Sequence, residues 1–165
     1  MNAEPRHHLD AVISGFRTAL LITDAADGGM HARPLAVADV PADGEILFAT
    51  SSSSPKIAEI EADPRVLISF QNGAQFACVC GTARMSRDRA RLQQLWSESW
   101  RIWYPAGVDD PSLCLLAVQP SAGEYWDNVG VKGLKYLFQG ATAYIRGDRL
   151  TTDAAHAHAK VDLKS

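Results

Sequence analysis

No hydrophobic run in this sequence approaches the roughly 20 residues that a membrane-spanning helix needs. The N-terminal apolar stretch is interrupted by Arg17 and lacks the small-residue cleavage site that ends a secretory signal. Lysine and arginine are scattered rather than gathered into a stripe, and the formal net charge is -3, which argues against a nucleic-acid-binding protein. We therefore expect a cytoplasmic protein that binds neither membranes nor nucleic acids.

Cysteine is also scarce. The chain has three, Cys78, Cys80 and Cys114, and an odd number without an export signal favours reduced thiols over a disulfide framework. Cys78 and Cys80 lie on one face of a predicted strand, where they could hold a soft metal only with ligands that the neighbouring sequence does not supply. We interpret them as buried apolar thiols, and no metal site is predicted.

The sequence signatures of common hydrolytic and phosphate-transfer sites are missing too. The chain has no paired-carboxylate signature, no G-x-S-x-G elbow, no H-E-x-x-H, and no Walker or G-x-G-x-x-G loop. No catalytic residue can be assigned from the sequence. A bound cofactor would explain chemistry without a conspicuous acid or base.

What the sequence does contain is a succession of short strands and tight turns, in a composition of 47% hydrophobic and 21% charged residues that is typical of one globular domain. The first strands are joined by turns at 27–29 and 41–44, too short for parallel crossovers, so the sheet is predicted to be antiparallel. The predicted strands are 18–23, 30–40, 45–50, 65–71, 75–85 and 113–118, with 124–127 continuing the sheet.

Helices are predicted around the sheet, at 9–15, at 55–62 before Pro64, from 88 onward, and at 134–145. The helix from 88 carries three tryptophans at helical spacing, which we assign to the core. Closing an antiparallel sheet removes its exposed edges, so we expect a mainly β, Greek-key-like barrel with flanking helices. Three indoles on one helix also exceed what a small core buries, which favours a homodimer.

The domain is expected to span residues 8–145, followed by a polar and flexible tail at 146–165. The pair His156 and His158 lies in that tail. A disordered end is the favoured interpretation, with weak adventitious metal binding as the alternative.

The most distinctive segment is 48–60, where a strand runs into four serines, Pro55 and Lys56. Ser54 can cap a helix whose first turn accommodates Pro55. Backbone N–H groups, the positive end of the helix dipole, hydroxyls and the Lys56 ammonium would then converge on one point, as a phosphate monoester requires. The alternative is a solvated serine loop with a surface pair between Lys56 and Glu59.

Taken together, several segments resemble the FMN-binding split-barrel proteins related to pyridoxamine 5'-phosphate oxidase, most closely their general stress protein branch. The resemblance covers roughly residues 8–128, and it implies a six- to seven-stranded antiparallel split β-barrel that forms a homodimer with FMN at the subunit interface. The segments at 103–105 and 124–127 also resemble that branch. The ordered segments that carry the resemblance are His31-Ala32-Arg33-Pro34-Leu35, Phe48-Ala49-Thr50, Ser51 to Lys56, Asp63-Pro64-Arg65-Val66 and Gln75 to Gly81.

The resemblance implies where FMN would bind. One strand would lie beside the flavin ring and ribityl chain, with backbone groups making much of the contact. Thr50 and Ser51 would flank the cofactor, and Ser54 and Lys56 would hold its phosphate. The strand residues in this set are His31, Ala32, Arg33, Pro34 and Leu35.

Several of these residues also have a purely structural interpretation. Gln75 matches a glutamine that approaches FMN from the opposite subunit, or it simply follows its turn. Trp126 either walls the ring or fills the core, and core packing is the better single interpretation. Arg33 could be an exposed strand residue paired with an aspartate, and Thr50 suits a strand end.

The chain departs from the oxidase pattern at its charges. Pro55 stands where the oxidases have an arginine, and Ala38 where they have a lysine. The oxidases also end in an Arg-x-His substrate segment, whereas this chain has only Arg146 and Arg149 before its tail. Oxidation of pyridoxamine phosphate is therefore not expected.

The leading hypothesis is a homodimeric, FMN-dependent oxidoreductase of unknown substrate and electron donor. One alternative is a non-enzymatic, flavin-binding stress or regulatory protein. Another is a split barrel that binds haem or a deazaflavin in place of FMN.

Overall fold

The computed structural model describes residues 3–41, 44–127 and 158–163. These residues form three α-helices, two short 3-10 helices and seven β-strands. The helices are α1 (Ala3–Ser14), α2 (Pro55–Ala62) and α3 (Arg89–Leu95), with 3-10 helices at Glu98–Ile102 and Gly107–Asp109. The strands are β1 (Thr18–Asp24), β2 (Met30–Asp39), β3 (Ile46–Ser51), β4 (Arg65–Gln71), β5 (Gln75–Ser86), β6 (Leu113–Asp127) and β7 (His158–Asp162).

The strands form one antiparallel sheet that closes on itself. Its order is β3-β2-β1-β4-β5-β6-β7, and β3 also pairs with β6, so six strands complete a barrel while β7 extends the sheet. The long β6 makes this possible, because its first half pairs with β3 and its second half pairs with β7. The mainly β, six- to seven-stranded antiparallel split barrel predicted from the sequence is confirmed.

The barrel has two hydrophobic clusters, one on each side of β3. The inner cluster fills the barrel around fully buried residues such as Phe48, Ile68 and Phe70. The outer cluster lies between β3, β6 and the segment 89–108, and it includes Trp100 and Tyr104. Because β3 is covered on both faces, five of its six residues are buried, and the segment 100–104 is held beside the end of β3.

The helix that follows the serine run matches its predicted bounds. Pro55 stands in its first turn, Asp63 has extended backbone at its C-cap, and Pro64 prevents continuation. Ile57 and Ile60 are buried in the inner cluster. The helix therefore lies against the barrel with its first turn next to the end of β3.

The long helix expected from residue 88 is shorter than predicted. Asp88 caps α3 by accepting a hydrogen bond from the backbone N–H of Arg91, but the helix stops at Leu95 and the backbone of Trp96 is no longer helical. The Trp96 indole donates to Glu98 at 2.9 Å, which favours a new 3-10 turn over helix continuation. Trp100 is 5% exposed, as a core residue should be, whereas Trp103 is 64% exposed and does not belong to the core.

The interpretation of Cys78 and Cys80 as buried thiols is wrong for Cys80, which is exposed, while Cys78 is half-buried. Alternation along β5 turns Ala77 and Val79 into the barrel and places both cysteines outside. Cys114 is buried. All three are free thiols, as predicted.

The end of the chain also departs from the expectation. The segment predicted as a flexible tail contains β7, where His158–Asp162 pairs with the second half of β6. The predicted helix at 134–145, the arginines at 146 and 149, and His156 lie outside the described residues. No helix within 3–41, 44–127 and 158–163 is long and apolar enough to cross a membrane.

Gly81 lies where the pairing of β5 with β6 shifts register, next to an extra residue in β6. A Cβ at this position would clash with the backbone carbonyl oxygen of Gln119. We expect Gly81→Ala to lower the free energy of unfolding by about 1–3 kcal/mol, the usual cost of overpacking. Urea unfolding followed by circular dichroism measures this change.

The matched control is Gly73→Ala, since a Cβ on Gly73 in the turn between β4 and β5 has no atom within 4 Å. Its unfolding curve should stay close to that of the wild type. Equal stabilities for the two variants would contradict a tight contact between β5 and β6 at Gly81.

Candidate functional site

A cavity of about 470 Å³ lies between β2, the end of β3, the first turn of α2 and the segment 100–104. This volume is typical of small-molecule sites. Six residues of the predicted set line it, and their role as cofactor contacts stays a prediction. They are Pro34, Leu35, Thr50, Ser51, Ser54 and Lys56.

Lys56 is the charged group of this cavity, and it is only 6% exposed. Its Nζ donates to Thr50 Oγ1 at 2.8 Å and to Ser54 Oγ at 2.6 Å. Burial lowers the pKa of Lys56, and the positive charge of Arg33 lowers it further. Within the described part of the chain, no carboxylate lies within 4.0 Å of this ammonium, so an anion in the cavity would supply the charge that the protein lacks.

The serine run folds into a compact turn. Ser54 N donates to the Ser51 carbonyl oxygen at 3.1 Å, and the hydroxyls of Ser51 and Ser53 lie 2.9 Å apart. Ser54 occupies the N-cap position of α2, as predicted, but its hydroxyl does not cap the helix and accepts from Lys56 instead. The alternative of a solvated lysine paired with Glu59 is wrong, because Lys56 is buried and bonded to hydroxyls.

Glu59, one turn further along α2, forms hydrogen bonds with side chains from two strands. Its carboxylate accepts from Thr23 Oγ1 at 2.6 Å, from Arg33 at 2.7 and 2.8 Å, and from His31 Nδ1 at 2.8 Å. Burial by itself raises the pKa of Glu59, but the hydrogen bonds from Thr23, His31 and Arg33 outweigh it and hold the pKa at about 2. Glu59 therefore stays ionised and ties α2 to β1 and β2.

This network changes the expectation for two predicted residues. The side chains of Arg33 and His31 contact Glu59 and do not line the cavity. Arg33 is 21% exposed and paired with a glutamate, rather than an exposed residue paired with an aspartate. Ala32 does not line the cavity either. Contact between the backbone of these residues and a cofactor stays a prediction.

Gln75 and Trp126 lie away from this cavity. Gln75 Nε2 donates to Asp127 Oδ1 at 3.2 Å. The half-buried Trp126 stacks on the imidazole of His158, with ring centroids 4.9 Å apart and an interplanar angle of 11°. The predicted contact of Gln75 with FMN bound by an opposite subunit stays a prediction. Trp126 belongs to neither hydrophobic cluster, so its interpretation as a core residue is not supported, and its contact with a flavin ring stays a prediction.

Three aromatic residues of the cavity were missed by the sequence analysis as site residues. Trp100, Trp103 and Tyr104 all line it. Burial raises the pKa of Tyr104 to about 12, with smaller contributions from Cys114 and Asp110. The available signal was the excess of indoles over what one core can bury, but helical spacing assigned them all to packing.

A sequence profile of the family described as "Pyridoxamine 5'-phosphate oxidase like" matches residues 4–151. The chain belongs to this family. The match spans the barrel strands β1 to β6 and the cavity, so the resemblance inferred from the ordered segments is confirmed.

Solved structures of related proteins agree with this family membership. The general stress FMN/FAD binding protein of Xanthomonas citri is 30% identical, covers 77% of this chain and 91% of its own, and has a TM-score of 0.65. A candidate general stress protein 26 of Jannaschia sp. CCS1 has a TM-score of 0.73 at 24% identity, covering 97% of this chain and 98% of its own. This pyridoxamine 5'-phosphate oxidase-like protein thus shares the split-barrel fold of both.

Among curated proteins, the protein bli-3 of Neurospora crassa is 26% identical over 113 residues, which are 62% of this chain and 54% of bli-3. The pyridoxamine 5'-phosphate oxidase-like chain thus spans about half the length of that relative.

The low pKa of Glu59 predicts a pH dependence of stability in this family member. Its folded pKa of about 2 lies below the usual 4.5, so the ionised carboxylate contributes stability that is present above pH 4.5 and lost as the pH falls toward 2. We expect the stability difference between the wild type and Glu59→Gln to shrink by on the order of 2 kcal/mol between pH 5 and pH 3. Urea unfolding at each pH measures it.

Glu61→Gln, at an exposed position of the same helix, is the matched control and should cost little stability. A difference between wild type and Glu59→Gln that stays constant from pH 5 to pH 3 would contradict the strongly bonded carboxylate.

Proposed function

We propose that this protein binds FMN in the cavity at Lys56 and acts as a homodimeric, flavin-dependent oxidoreductase. The observation that carries the proposal is the buried Lys56 ammonium, which lines a cavity of about 470 Å³ and whose contacts in the described chain are neutral hydroxyls. The phosphate of FMN would supply the anion that this ammonium lacks. The Xanthomonas citri relative is itself an FMN/FAD binding protein by its name, which supports the same ligand.

The residues of the cavity fit both ends of FMN. Lys56, held by Thr50 and Ser54, lies in the first turn of α2, where the helix dipole also favours an anion. The lining also offers apolar surface to a ribityl chain and a flat ring, from Pro34, Leu35, Ala36 and Ala49. When bound, FMN would supply the electron transfer, while the chain binds it, orients it and shields it from water.

The charges of the cavity argue against oxidation of pyridoxamine phosphate. Pro55 brings no charge to the first turn of α2, and Ala38 packs against the outer cluster. Arg33, the second cation near Lys56, is already paired with Glu59. Phosphate binding would thus depend on one lysine, hydroxyls and backbone donors, and we propose a different, unidentified substrate.

A homodimer is supported by two independent observations. Large apolar side chains are left in solvent, among them Met30 at 67% and Phe76 at 40% exposure. Gln75 and Trp126 lie outside the cavity of their own chain, as residues that complete the site of a second subunit would. Light scattering should then give a particle of twice the 17.9 kDa chain mass.

Of the two alternatives, the non-enzymatic flavin protein is the stronger. Apart from Lys56 and Tyr104, the described residues that line the cavity include no titratable group, so there is no evident acid or base for a substrate. Haem is less favoured, because the described lining of the cavity offers no histidine, cysteine or methionine as its axial ligand, and burial raises the pKa of its one phenol, Tyr104, to about 12, which disfavours a phenolate ligand.

Lys56→Ala tests the phosphate site. We expect it to weaken FMN binding by about 1.5–3 kcal/mol, the range for a hydrogen bond to a charged group. Little stability should be lost, since the variant also removes a buried charge. Titration of the apoprotein with FMN, followed by flavin fluorescence, gives the dissociation constant.

Lys160→Ala is the matched control, because the Lys160 side chain is 80% exposed on β7, outside the cavity. It should leave FMN affinity unchanged. An unchanged dissociation constant in Lys56→Ala would place the phosphate elsewhere, and a wild-type protein that takes up no FMN would refute the proposed cofactor.

Turnover separates the enzyme from the binding protein. We expect the FMN-loaded protein to oxidise NADH or NADPH steadily in the presence of an electron acceptor, because bound FMN can pass electrons between the two. The decay of nicotinamide absorbance measures the rate. FMN binding without turnover across a broad panel of acceptors would favour the non-enzymatic alternative.

A further inference from the structure

The Tyr104 side chain is largely buried, but its hydroxyl oxygen is not sealed from solvent and has no hydrogen-bond partner in the described chain. The residue is 8% exposed and lines the cavity. The Thr50 hydroxyl of the same lining accepts from Lys56, whereas the Tyr104 hydroxyl makes no hydrogen bond within residues 3–41, 44–127 and 158–163. Its raised pKa of about 12 keeps the phenol protonated at neutral pH, so it can act as a donor.

The backbone around Tyr104 holds this donor in place. The backbone N–H groups of Trp103 and Tyr104 both donate to the Trp100 carbonyl oxygen, at 2.9 and 3.0 Å, and Gly107 N donates to the Tyr104 carbonyl oxygen at 2.9 Å. Trp100 is itself buried and packs edge-on against Trp96, with ring centroids 5.9 Å apart. This wall of the cavity is therefore anchored in the outer cluster.

Trp103 differs from its neighbours, because 64% of its surface is exposed although it lines the cavity. An indole that lies on one side of a cavity and is open to solvent can cover a flat ligand at small conformational cost. The cavity thus has a cationic end at Lys56 and an aromatic wall at 103–104.

We infer that this aromatic wall recognises the bound ligand, with Tyr104 donating a hydrogen bond to an oxygen acceptor of FMN and Trp103 covering its planar part. The inference rests on the proposed FMN site and assigns two further binding residues to it. The ligand class that satisfies both ends of the cavity carries a phosphate, a neutral oxygen acceptor and a flat aromatic system. Inorganic phosphate satisfies only the Lys56 end.

Two substitutions test the wall by FMN titration. Tyr104→Phe keeps the ring and removes the donor, and it should weaken FMN binding about 3- to 10-fold, as expected for one neutral hydrogen bond. Trp103→Ala removes an exposed side chain, so the fold should be retained, and it should weaken binding by roughly 5-fold or more. Thermal unfolding of both variants checks that the fold is intact.

Trp96→Phe is the matched control, since Trp96 belongs to the same segment but does not line the cavity. It should bind FMN like the wild type. Tryptophan emission gives a second readout, because FMN over Trp103 should quench an emission component that is missing from Trp103→Ala.

The outcomes separate this inference from the proposed function. If the wild type binds FMN and Lys56→Ala weakens it, while Tyr104→Phe and Trp103→Ala bind like the wild type, the aromatic wall is refuted and the FMN site stands. If the wild type binds no FMN, both fail. An inhibition constant of inorganic phosphate that is the same in the wild type, Tyr104→Phe and Trp103→Ala, together with the two losses of FMN affinity, supports separate roles for the two ends.

Discussion

The carboxylate of Glu59 is the contact on which the geometry of the candidate site depends. It joins α2 to β1 through Thr23 and to β2 through Arg33 and His31, so the helix that carries Lys56 has a fixed position against the barrel. Its charge also matters. Arg33 and Lys56 are two cations near one another. Glu59 forms an ion pair with Arg33, whereas the charge of Lys56 stays available to an anion in the cavity. The site thus has one available positive charge rather than two.

The strands and α2 could be predicted from the sequence because their signals are local. Alternation of apolar and polar residues, and turns such as Asn72-Gly73, mark the strands within a few residues. Pro55 and Pro64 set both ends of α2 by removing donors and restricting the preceding backbone. Lys56 could be placed in the first turn of this helix, beside the serine turn, for the same reason, since the strand, the serines and the helix start follow one another in the sequence itself.

The features that could not be predicted from the sequence have the opposite character, since each depends on contacts between residues that are distant in the chain. Strand alternation gives the face on which Arg33 lies, but it does not reveal that Glu59 of a later helix accepts two of the three hydrogen bonds of its guanidinium. Helical spacing cannot show that Trp96 leaves the helix and that Trp103 turns outward. The strand β7 is only five residues long and pairs with the edge of β6 that β3 does not reach, for which the sequence holds no local signal.

The pairing of β3 with β6 has a consequence for the order of folding. It pairs Ile46 with Val118, two residues that are separated by most of the barrel sequence. In contrast, tight turns join β1 to β2 and β4 to β5. Loop-closure entropy makes such distant pairings slow, so we expect the hairpins to form first and the barrel to close late. The cavity takes walls from β3, from α2 and from the segment before β6. A ligand of this cavity would therefore bind only a chain that has already closed, and uptake of the proposed cofactor would act on the folded protein rather than on its folding nucleus.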